Sequence, residues 1–447
     1  MSIVHSTPSF QQIWQSIQLP ALIPYLENWE IRDLLDQANH ASRNTVTSFT
    51  PVEVVWSMVH RALHPDHSIR NTVEHLASAG ILITPSGWCQ ARSRLPEALL
   101  PQLAALCARK TSQQWGRSYE WHGRPVYIGD GTTLSMPDTP ELVAAFGYKE
   151  GKYGPSRFPS AAAMAILHAG VHVVTDFRLA PNKTAELTLW REMIPGLPKG
   201  AVILLDRLFC TIPDITLLQR GGIDMITKLH GRRAPAALIR EGRSIGLNEW
   251  IVPFHLSATT EKRNTGLHLP ETTEVRLIRH NFRHNGKRRT IWIVTTMLDA
   301  AVYPKCEIVA LYRERWGIET HINYLKTPLA MGILRSHSPA AVRSEVGAIL
   351  LAHNLIWAFM HETAQQSPQP VVRLSFAGAI KTVLQSAATI RCAPLRRQRG
   401  FVVEAMQRLA QLPNEDRPNR IEPRLLKRER NAFAYLRTSR AEARKAC

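Results

Sequence analysis

A continuous apolar run that ends in a carboxylate is the feature that most limits the fold of this chain. Residues 201–205 (Ala-Val-Ile-Leu-Leu) carry no polar side chain, and Asp206 follows directly. A short apolar run without alternation predicts a β-strand that is buried on both faces, as in a sheet covered by helices. Residues 126–129 form a second such run, before Asp130. We therefore expect an α/β domain.

The segments around these two runs predict a mixed sheet. Further strand-like runs occur at residues 161–168, 171–179 and 223–229. Helical segments occur at residues 184–193 and 212–220. The order is three strands, helix, strand, helix, strand, so the helices are expected to pack on a sheet with both parallel and antiparallel strands.

The flanking regions differ in character. Residues 10–118 are expected to be helical, with helices over 22–35 and 95–108 and helix starts at the Thr-Pro pairs 50–51 and 84–85. Residues 231–300 mix Gly, Pro and Arg with β-type runs, and Asn285-Gly286 is a hairpin signal. Helices are predicted again over residues 306–325 and 340–362, before an Arg-rich end.

The charge of the chain is high and unevenly distributed. The 447 residues include 55 Lys and Arg against 36 Asp and Glu, a net charge of +19. Residues 228–290 and 393–447 each carry an excess of +8, whereas residues 1–227 are neutral. A soluble protein with this charge is expected to bind polyanions, with nucleic acid as the first candidate and an anionic membrane surface as the competitor.

Other sequence features predict the cellular compartment of the protein. No stretch approaches the ~20 apolar residues that span a bilayer, and the start of the chain lacks the pattern of a signal peptide. The six cysteines are scattered without a C-x-x-C pair, which favours free thiols in a reducing compartment and argues against a zinc site. We expect a cytoplasmic protein.

The residues that could carry chemistry are carboxylates at predicted strand ends and on a helix. Asp130 and Asp206 each follow an apolar strand, where open sheets place ligand sites. In the helix after Cys306, four polar side chains fall within about 60° of one another on one face; they are Tyr312, Arg315, Glu319 and Lys326. Alone, that face could be a surface ion pair between Arg315 and Glu319. Beside two aspartates it predicts a two-metal site for a phosphodiester.

These residues resemble the DDE transposases of bacterial insertion sequences. The resemblance rests on Asp130-Gly131-Thr132-Thr133, on Asp206-Arg207 and on the spacing Y-(2)-R-(3)-E-(6)-K from residue 312 to residue 326, which is the signature of the IS-four family. The long gap from the second Asp to the Glu also suits that family, as do residues 89–96 (Cys-Gln-Ala-Arg-Ser-Arg-Leu-Pro) and the basic end 419–428.

The resemblance implies a domain plan. It comprises a helical N-terminal DNA-binding domain (1–118), an RNase H-like mixed-sheet catalytic core in two parts (119–230 and 301–362), a β-rich insertion (231–300) and a helical, basic C-terminal region (363–447). The first part of the core holds Asp130 and Asp206, and the second holds the signature helix.

The resemblance also implies a mechanism and partners. Asp130, Asp206 and Glu319 would hold two Mg²⁺ ions, with Mn²⁺ able to substitute, and the reaction would be cut-and-paste transposition without a covalent enzyme intermediate. Tyr312, Arg315 and Lys326 would grip the terminal phosphates of the element. The partners would be double-stranded DNA, as terminal inverted repeats and as target, and a second copy of the chain in a nucleoid-associated homodimer.

Four further residues are candidates for DNA contacts. Trp292 is placed like an insertion-domain tryptophan that stacks on a flipped base, and a buried strand tryptophan is the alternative. Lys228, Arg232 and Arg233 follow the fifth strand and could contact phosphates.

Two other functions fit part of this pattern. An RNase H-like nuclease that cuts without joining would need the same carboxylates. A non-catalytic DNA-binding repressor derived from a transposase would keep the basic charge and could lose the carboxylates. The presence of all three carboxylates with the full helix signature argues against the repressor.

Overall fold

The chain forms two units, each assembled from stretches that are distant in sequence. The computed structural model describes residues 19–38, 49–151, 154–284, 287–414 and 442. The helical unit comprises Met1–Cys107, Leu134–Ala161 and Leu325–Cys447. The sheet unit comprises Ala108–Thr133 and Ala162–Tyr324.

The described residues form ten β-strands and fourteen α-helices. The strands are β1 (Val126–Ser135), β2 (Tyr148–Gly151), β3 (Gly154–His168), β4 (Val174–Pro181), β5 (Val202–Leu205), β6 (Asp224–Lys228), β7 (Arg243–Gly246), β8 (Glu249–His255), β9 (Thr272–His284) and β10 (Lys287–Thr295). The α-helices are α1 (Asn28–Gln37), α2 (Pro51–Leu63), α3 (Ile69–Ser78), α4 (Pro85–Arg94), α5 (Leu99–Trp115), α6 (Pro140–Phe146), α7 (Glu186–Met193), α8 (Ile212–Arg220), α9 (Pro235–Glu241), α10 (Ala258–Arg263), α11 (Lys305–Lys326), α12 (Pro339–Gln365), α13 (Phe376–Cys392) and α14 (Leu395–Ala410).

The sheet unit has the strand order of an RNase H-like fold. Its core strands lie in the order β4-β3-β1-β5-β6, which is 3-2-1-4-5 when counted along the chain. β1 pairs with β5 in parallel, and β5 pairs with β6 in parallel. β6 then pairs antiparallel with β10. The predicted mixed α/β sheet is confirmed.

The apolar strands and the helices that follow them form one core in this unit. β5 is buried along its whole length, as expected for a strand covered on both faces. Trp190 of α7 and Phe209 pack against each other with ring centroids 5.6 Å apart, and both are fully buried. The fourth predicted strand, the helix after it and the fifth strand all match observed elements.

Three strands differ from their predicted bounds. The second begins at Gly154 rather than at residue 161. The third begins at Val174 rather than at residue 171, because residues 169–173 form a turn in which the backbone N–H of His168 donates to the carbonyl of Val173 (3.0 Å) and His172 adopts φ 64°. β1 continues past Asp130 to Ser135, so this aspartate lies in mid-strand and not at a strand end.

The β-rich insertion continues the sheet. β9 and β10 form a hairpin, with Lys287 opposite His284; the predicted turn residues Asn285 and Gly286 lie outside the described residues. β8 and β7 extend the sheet beyond β9. The short helices α9 and α10 were not predicted, because six or seven residues give little periodicity to read.

The helical unit shows most of the predicted helix starts. Thr50 caps α2, its hydroxyl accepting the backbone N–H of Glu53 (3.4 Å) while Pro51 occupies the first turn. The helix predicted to start at Leu95 begins instead at Leu99, because Leu95 precedes a proline and is extended. The helix predicted over 22–35 begins only at Asn28, after a short 3₁₀ turn.

The end of the chain is described only in part. α13 and α14 form the described portion of the predicted helical, basic C-terminal region, and residues 415–441 and 443–447 lie outside the described residues. None of the helices within the described ranges is long and apolar enough to cross a membrane.

Four histidines pack together inside the helical unit. The ring of His60 lies 3.8 Å from that of His75 and 4.2 Å from that of His64, and the rings of His64 and His67 stack at 4.3 Å. Burial, followed by the neighbouring histidines, lowers the pKa of His60 to about 2. Burial and then Arg391 lower the pKa of His75 to about 4. The folded unit therefore holds the His60 and His75 rings neutral.

This cluster predicts loss of stability in mild acid. Below about pH 6.5 the unfolded chain binds protons that the buried rings do not, so the free energy of unfolding falls as the pH falls, by up to about 1.4 kcal/mol per pH unit for each ring. Unfolding by urea at pH 7, 6 and 5 measures this slope. The variant His60→Leu should flatten it, whereas replacing the exposed His337 with Gln should not; equal slopes in wild type and His60→Leu would refute the explanation.

Candidate active site

The strand register brings the two predicted aspartates side by side. On the parallel strands β1 and β5, Ile128 pairs with Leu204. Asp130 and Asp206 each lie two residues beyond that pair. Since side chains two residues apart point to the same face, both carboxylates leave the same face of adjacent strands. The sequence prediction that these two side chains meet is consistent with this register.

The backbone around both aspartates is fixed by hydrogen bonds. The carbonyl of Asp206 accepts the Thr227 hydroxyl (2.8 Å) and the N–H of Phe209 (3.1 Å). The Asp130 carboxylate accepts the N–H of Gly131 (2.9 Å). Both acidic side chains therefore project from rigid positions at the edge of a buried core, as a preorganised site requires.

A fourth acidic residue, Glu186, faces the aspartates and was missed by the sequence prediction. It is the first residue of α7 and is half-buried. Its carboxylate packs so closely on Gly131 that a Cβ at that glycine would lie 2.3 Å from the Glu186 Cδ. Burial, then Asp130, and more weakly Asp206, raise the pKa of Glu186. Three like charges thus share one small region.

Two residues of α11, the helix that carries the Tyr-Arg-Glu-Lys signature, lie near the carboxyl end of β5. Tyr312 on α11 is buried and donates its hydroxyl to the carbonyl of Leu205 (3.3 Å), immediately before Asp206. Burial, followed by Asp206, raises its pKa, while Arg315 opposes that shift. Arg315 is 5% exposed, its guanidinium lies 5.8 Å from the Tyr312 ring, and its Nε has no hydrogen-bond partner among the described residues.

The other two signature residues are described less fully. Glu319 lies on α11, but its side chain falls outside the described residues. Lys326 is the last residue of α11 and belongs to the helical unit, whereas Tyr312 and Arg315 belong to the sheet unit. Their roles in the site therefore stay predictions.

The basic residues predicted after the fifth strand surround a histidine. Burial, and then Arg232, Arg233 and Arg207, lower the pKa of His230. Arg207, which directly follows Asp206, was not among the predicted contacts. Arg232 is exposed, while the Arg233 guanidinium lies 3.9 Å from the centre of the Phe254 ring. Lys228 is the half-buried last residue of β6. The loop carries a local positive potential.

Trp292 lies on β10 and is half-buried. Its ring lies 6.0 Å from that of Trp250 on β8, and the Arg279 guanidinium lies 5.9 Å from its centre. It packs against the apolar core from outside. The whole residue is partly exposed, and its role in binding a base stays a prediction.

The clustered carboxylates supply oxygen atoms, which hard cations prefer as ligands. Burial and then Asp130 raise the pKa of Glu186, and a bound cation would offset the repulsion between the two carboxylates. Within the described residues no group of three His, Cys, Asp or Glu has the geometry to hold a metal ion. The Glu319 side chain is not among those residues.

Comparison with known families decides the class of protein. The DDE domain of transposases matches residues 121–355, which contain both aspartates and the signature helix. The chain belongs to the DDE transposase family. Its Asp130, Asp206 and Glu319 thus lie inside the matched domain, and the sequence-based identification is confirmed. Members of this family cleave DNA and use divalent metal ions.

Two curated relatives are similar over different lengths. The transposase is 25% identical over 376 residues to transposase InsG for insertion sequence element IS4 of Escherichia coli (strain K12), covering 81% of each chain. It is 26% identical over 171 residues to InsZ of the same strain, covering 38% of this chain and 57% of InsZ. Membership of the IS-four group agrees with the longer match.

Two solved transposase structures match this chain with low TM-scores. A cryo-EM structure of the piggyBac transposase synaptic complex with hairpin DNA matches at 13% identity and a TM-score of 0.42, covering 91% of this chain and 84% of that one. A crystal structure of a pre-cleavage Mos1 transpososome matches at 10% identity and a TM-score of 0.17, covering 49% and 78%.

The position of Glu186 leads to a prediction for the transposase. Replacing it with Gln removes a charge that faces the aspartates, and outer groups around a metal site typically contribute 10–100-fold to affinity or activity. We expect DNA cleavage to fall by about that factor at low metal concentration and to recover partly at high concentration. Glu192→Gln, an exposed change on the same helix, is the control. Equal metal dependence in the two variants would contradict the role.

Proposed function

We propose that this transposase moves its insertion sequence by cut-and-paste transposition, using two-metal phosphodiester hydrolysis followed by strand transfer. The observation that carries the proposal is the register of β1 and β5, in which Asp130 and Asp206 each lie two residues beyond the pair Ile128–Leu204, within a DDE domain. A nuclease would need the same carboxylates, so the joining step is the part that requires its own test.

Asp130, Asp206 and Glu319 would hold two Mg²⁺ ions, and Mn²⁺ could replace them. Support comes from the shared sheet face of the two aspartates and from the oxygen-rich donor set, which suits hard cations. When bound, such ions activate the attacking oxygen and stabilise the leaving oxygen of an in-line displacement.

The surrounding side chains would bind and orient the DNA. The buried Arg315, held against Tyr312, offers guanidinium donors to a phosphate beside Asp206. Lys326 would add a contact from the end of the same helix. Phosphates further along the DNA backbone would be contacted by Lys228, Arg232 and Arg233. The partly exposed Trp292 would stack on a base that leaves the duplex.

The DNA chemistry would proceed in balanced displacements at phosphorus. Water attacks the phosphodiester at the element end, forming a P–O bond while the bond to the 3′ oxygen breaks and leaves a 3′-OH. That hydroxyl then attacks a phosphodiester of the opposite strand, which forms a hairpin and releases the flanking DNA with a 3′-OH. A second water opens the hairpin and restores the 3′-OH of the element, which attacks a target phosphodiester and releases a 3′-OH on the target strand. No bond to the enzyme forms.

The proposed partners are double-stranded DNA and a second copy of the chain. The DNA is the terminal inverted repeat and then the target, and the +19 net charge supports binding to it. Two paired ends would be held by a homodimer at the bacterial nucleoid.

A strand-transfer assay tests the function. The purified protein is incubated with Mg²⁺, a labelled duplex that ends in the element's inverted repeat and a supercoiled target plasmid. We expect 3′-OH cleavage, a hairpin and plasmid-joined product. Cleavage without joined product would identify a nuclease, and a band shift without cleavage would identify a DNA-binding repressor.

A further inference from the structure

Three arginines from separate parts of the chain line one pocket in the helical unit. Arg61 comes from α2, Arg92 from α4, and Arg335 from the segment that precedes α12. All three are half-buried. The remaining walls are largely apolar and include Met58, Ala62, Leu329 and Ala348.

The positive charge of this pocket exceeds the negative charge that faces it. Glu345 is the acidic residue in its lining. The Glu345 carboxylate accepts the backbone N–H of Arg335 (3.1 Å) and of Ser336 (2.9 Å), and its distance to the Arg335 Nε is 4.0 Å. One carboxylate therefore faces three guanidinium groups and is largely occupied by backbone donors.

The guanidinium groups are held in place by the fold. Arg61 and Arg335 each donate to the carbonyl of His67, at 3.0 and 2.8 Å. Arg61 and Arg92 both lie over the ring of the fully buried Trp88, at 5.8 and 5.2 Å from its centre. Each guanidinium has five N–H donors, so these contacts leave donors for a ligand.

The electrostatics agree with this geometry. Burial, then Arg335, lower the pKa of Arg61 to about 10, with Glu345 opposing and Arg92 adding to the effect. Packing like charges together in the free protein is unfavourable, and a bound anion would relieve it. Guanidinium groups match oxyanions bidentately, and phosphate is the oxyanion they bind most often in nucleic acid complexes.

A second concavity continues from Arg92 along α4 toward the start of α12. It offers hydroxyl and amide groups from five residues, which are Ser86, Gln90, Ser93, Ser338 and Ser344. Its acidic member, Glu97, pairs with Arg343 at 3.3 Å. Hydroxyl and amide side chains are the groups that contact DNA phosphates and sugars beside arginines. The two concavities thus form one groove with Arg92 between them.

We propose that this groove binds the phosphodiester backbone of duplex DNA, with one phosphate seated among Arg61, Arg92 and Arg335. The proposal rests on the proposed function, since it takes DNA as the substrate, and it assigns to the helical unit a contact separate from the catalytic carboxylates. Arg61, Arg92 and Arg335 would contact the DNA backbone and not the bases, so the groove strengthens binding to DNA of any sequence.

The test compares DNA binding by Arg92→Ala and Arg335→Ala with that by Lys381→Ala, an exposed change of equal charge on α13. Fluorescence anisotropy with the inverted-repeat duplex, over about 50–200 mM salt, gives the affinity and the salt slope. We expect each groove variant to bind about tenfold more weakly and to lose about 0.9 from the slope of log K against log salt. The Lys381→Ala variant should match wild type.

Three controls keep the outcome interpretable. The melting temperatures of the variants must stay near that of the wild type, and Arg92→Lys, which keeps the charge but loses the planar guanidinium, should bind with an affinity between those of Arg92→Ala and wild type. A random duplex of equal length should show the same loss. DNA binding equal to wild type in Arg92→Ala and Arg335→Ala would overturn the proposal. If inorganic phosphate also raised the melting temperature of the wild type, the groove would be a site for free phosphate and not for DNA.

The proposed function and this inference can fail separately. Wild-type protein that cuts and joins DNA while both groove variants bind normally would overturn the groove alone. Protein whose binding depends on the groove but that neither cuts nor joins would overturn the function alone.

Discussion

Cleavage of element-end DNA should fall about a thousandfold or more when Asp206 is replaced by Asn. The carboxylate follows β5 in a backbone fixed by Thr227, so Asn keeps the shape and removes the charge. Metal ions supply several kcal/mol of transition-state stabilisation, which corresponds to at least this factor in rate. Glu319→Gln should have an effect of similar size. Single-turnover nicking of the labelled duplex measures both.

The control for this prediction is Asp176→Asn. Asp176 lies on β4 in the same unit, beside Arg178 at 3.5 Å, and is not one of the three carboxylates proposed to hold metal ions. DNA affinity, measured by band shift without metal, should stay close to wild type in Asp206→Asn and Glu319→Gln. Retained cleavage in either variant, or loss of binding in both, would exclude the assigned roles.

Replacing Arg276 should have the largest effect on stability. This arginine of β9 is fully buried, pairs with Glu249 of β8 and donates to the carbonyl of Tyr303 (2.7 Å). Arg276→Met leaves the Glu249 charge buried without its partner, which typically costs about 3–5 kcal/mol. Urea unfolding at pH 7, followed by circular dichroism, should show that decrease in the free energy of unfolding.

A double variant separates the unpaired charge from lost packing. Arg276→Met combined with Glu249→Leu replaces the ion pair with apolar groups and should recover most of the lost stability. Arg279→Met is the matched control, since Arg279 is an exposed arginine on the same strand and should cost about 1 kcal/mol or less. A double variant as unstable as Arg276→Met would show that the charge was not the cause.

Local sequence patterns predicted the elements around the site. Residues 201–205 predicted a strand because an unbroken apolar run fits a position covered on both faces. Thr50 and Pro51 predicted a helix start because a hydroxyl cap and a fixed φ act within one turn. Asp130 and Asp206 were chosen as candidate site residues for the same reason, since each follows such a run. The DDE identification needed only these local patterns and the spacing of the signature helix.

Contacts between residues that are distant in the sequence could not be predicted from local patterns. Glu186 meets Asp130 only because α7 packs over β1, and the nearest signal was the glycine at position 131, which leaves room for the Glu186 carboxylate. The continuation of β1 past Asp130 depends on neighbouring strands, not on local preference. The arginine groove joins positions 61, 92 and 335, whose approach no periodicity encodes.

Residues 231–300 also protect an edge of the mixed sheet. β10 covers β6 through the pairs Ile293–Lys228, Val294–Thr227 and Thr295–Ile226. A chain that lacked residues 231–300 would leave β6 as an open edge, with unpaired N–H and C=O groups that recruit strands from other molecules. Trimming this segment to obtain a minimal nuclease should therefore produce an aggregating protein, unless a charged or proline-bearing β6 blocks the exposed edge.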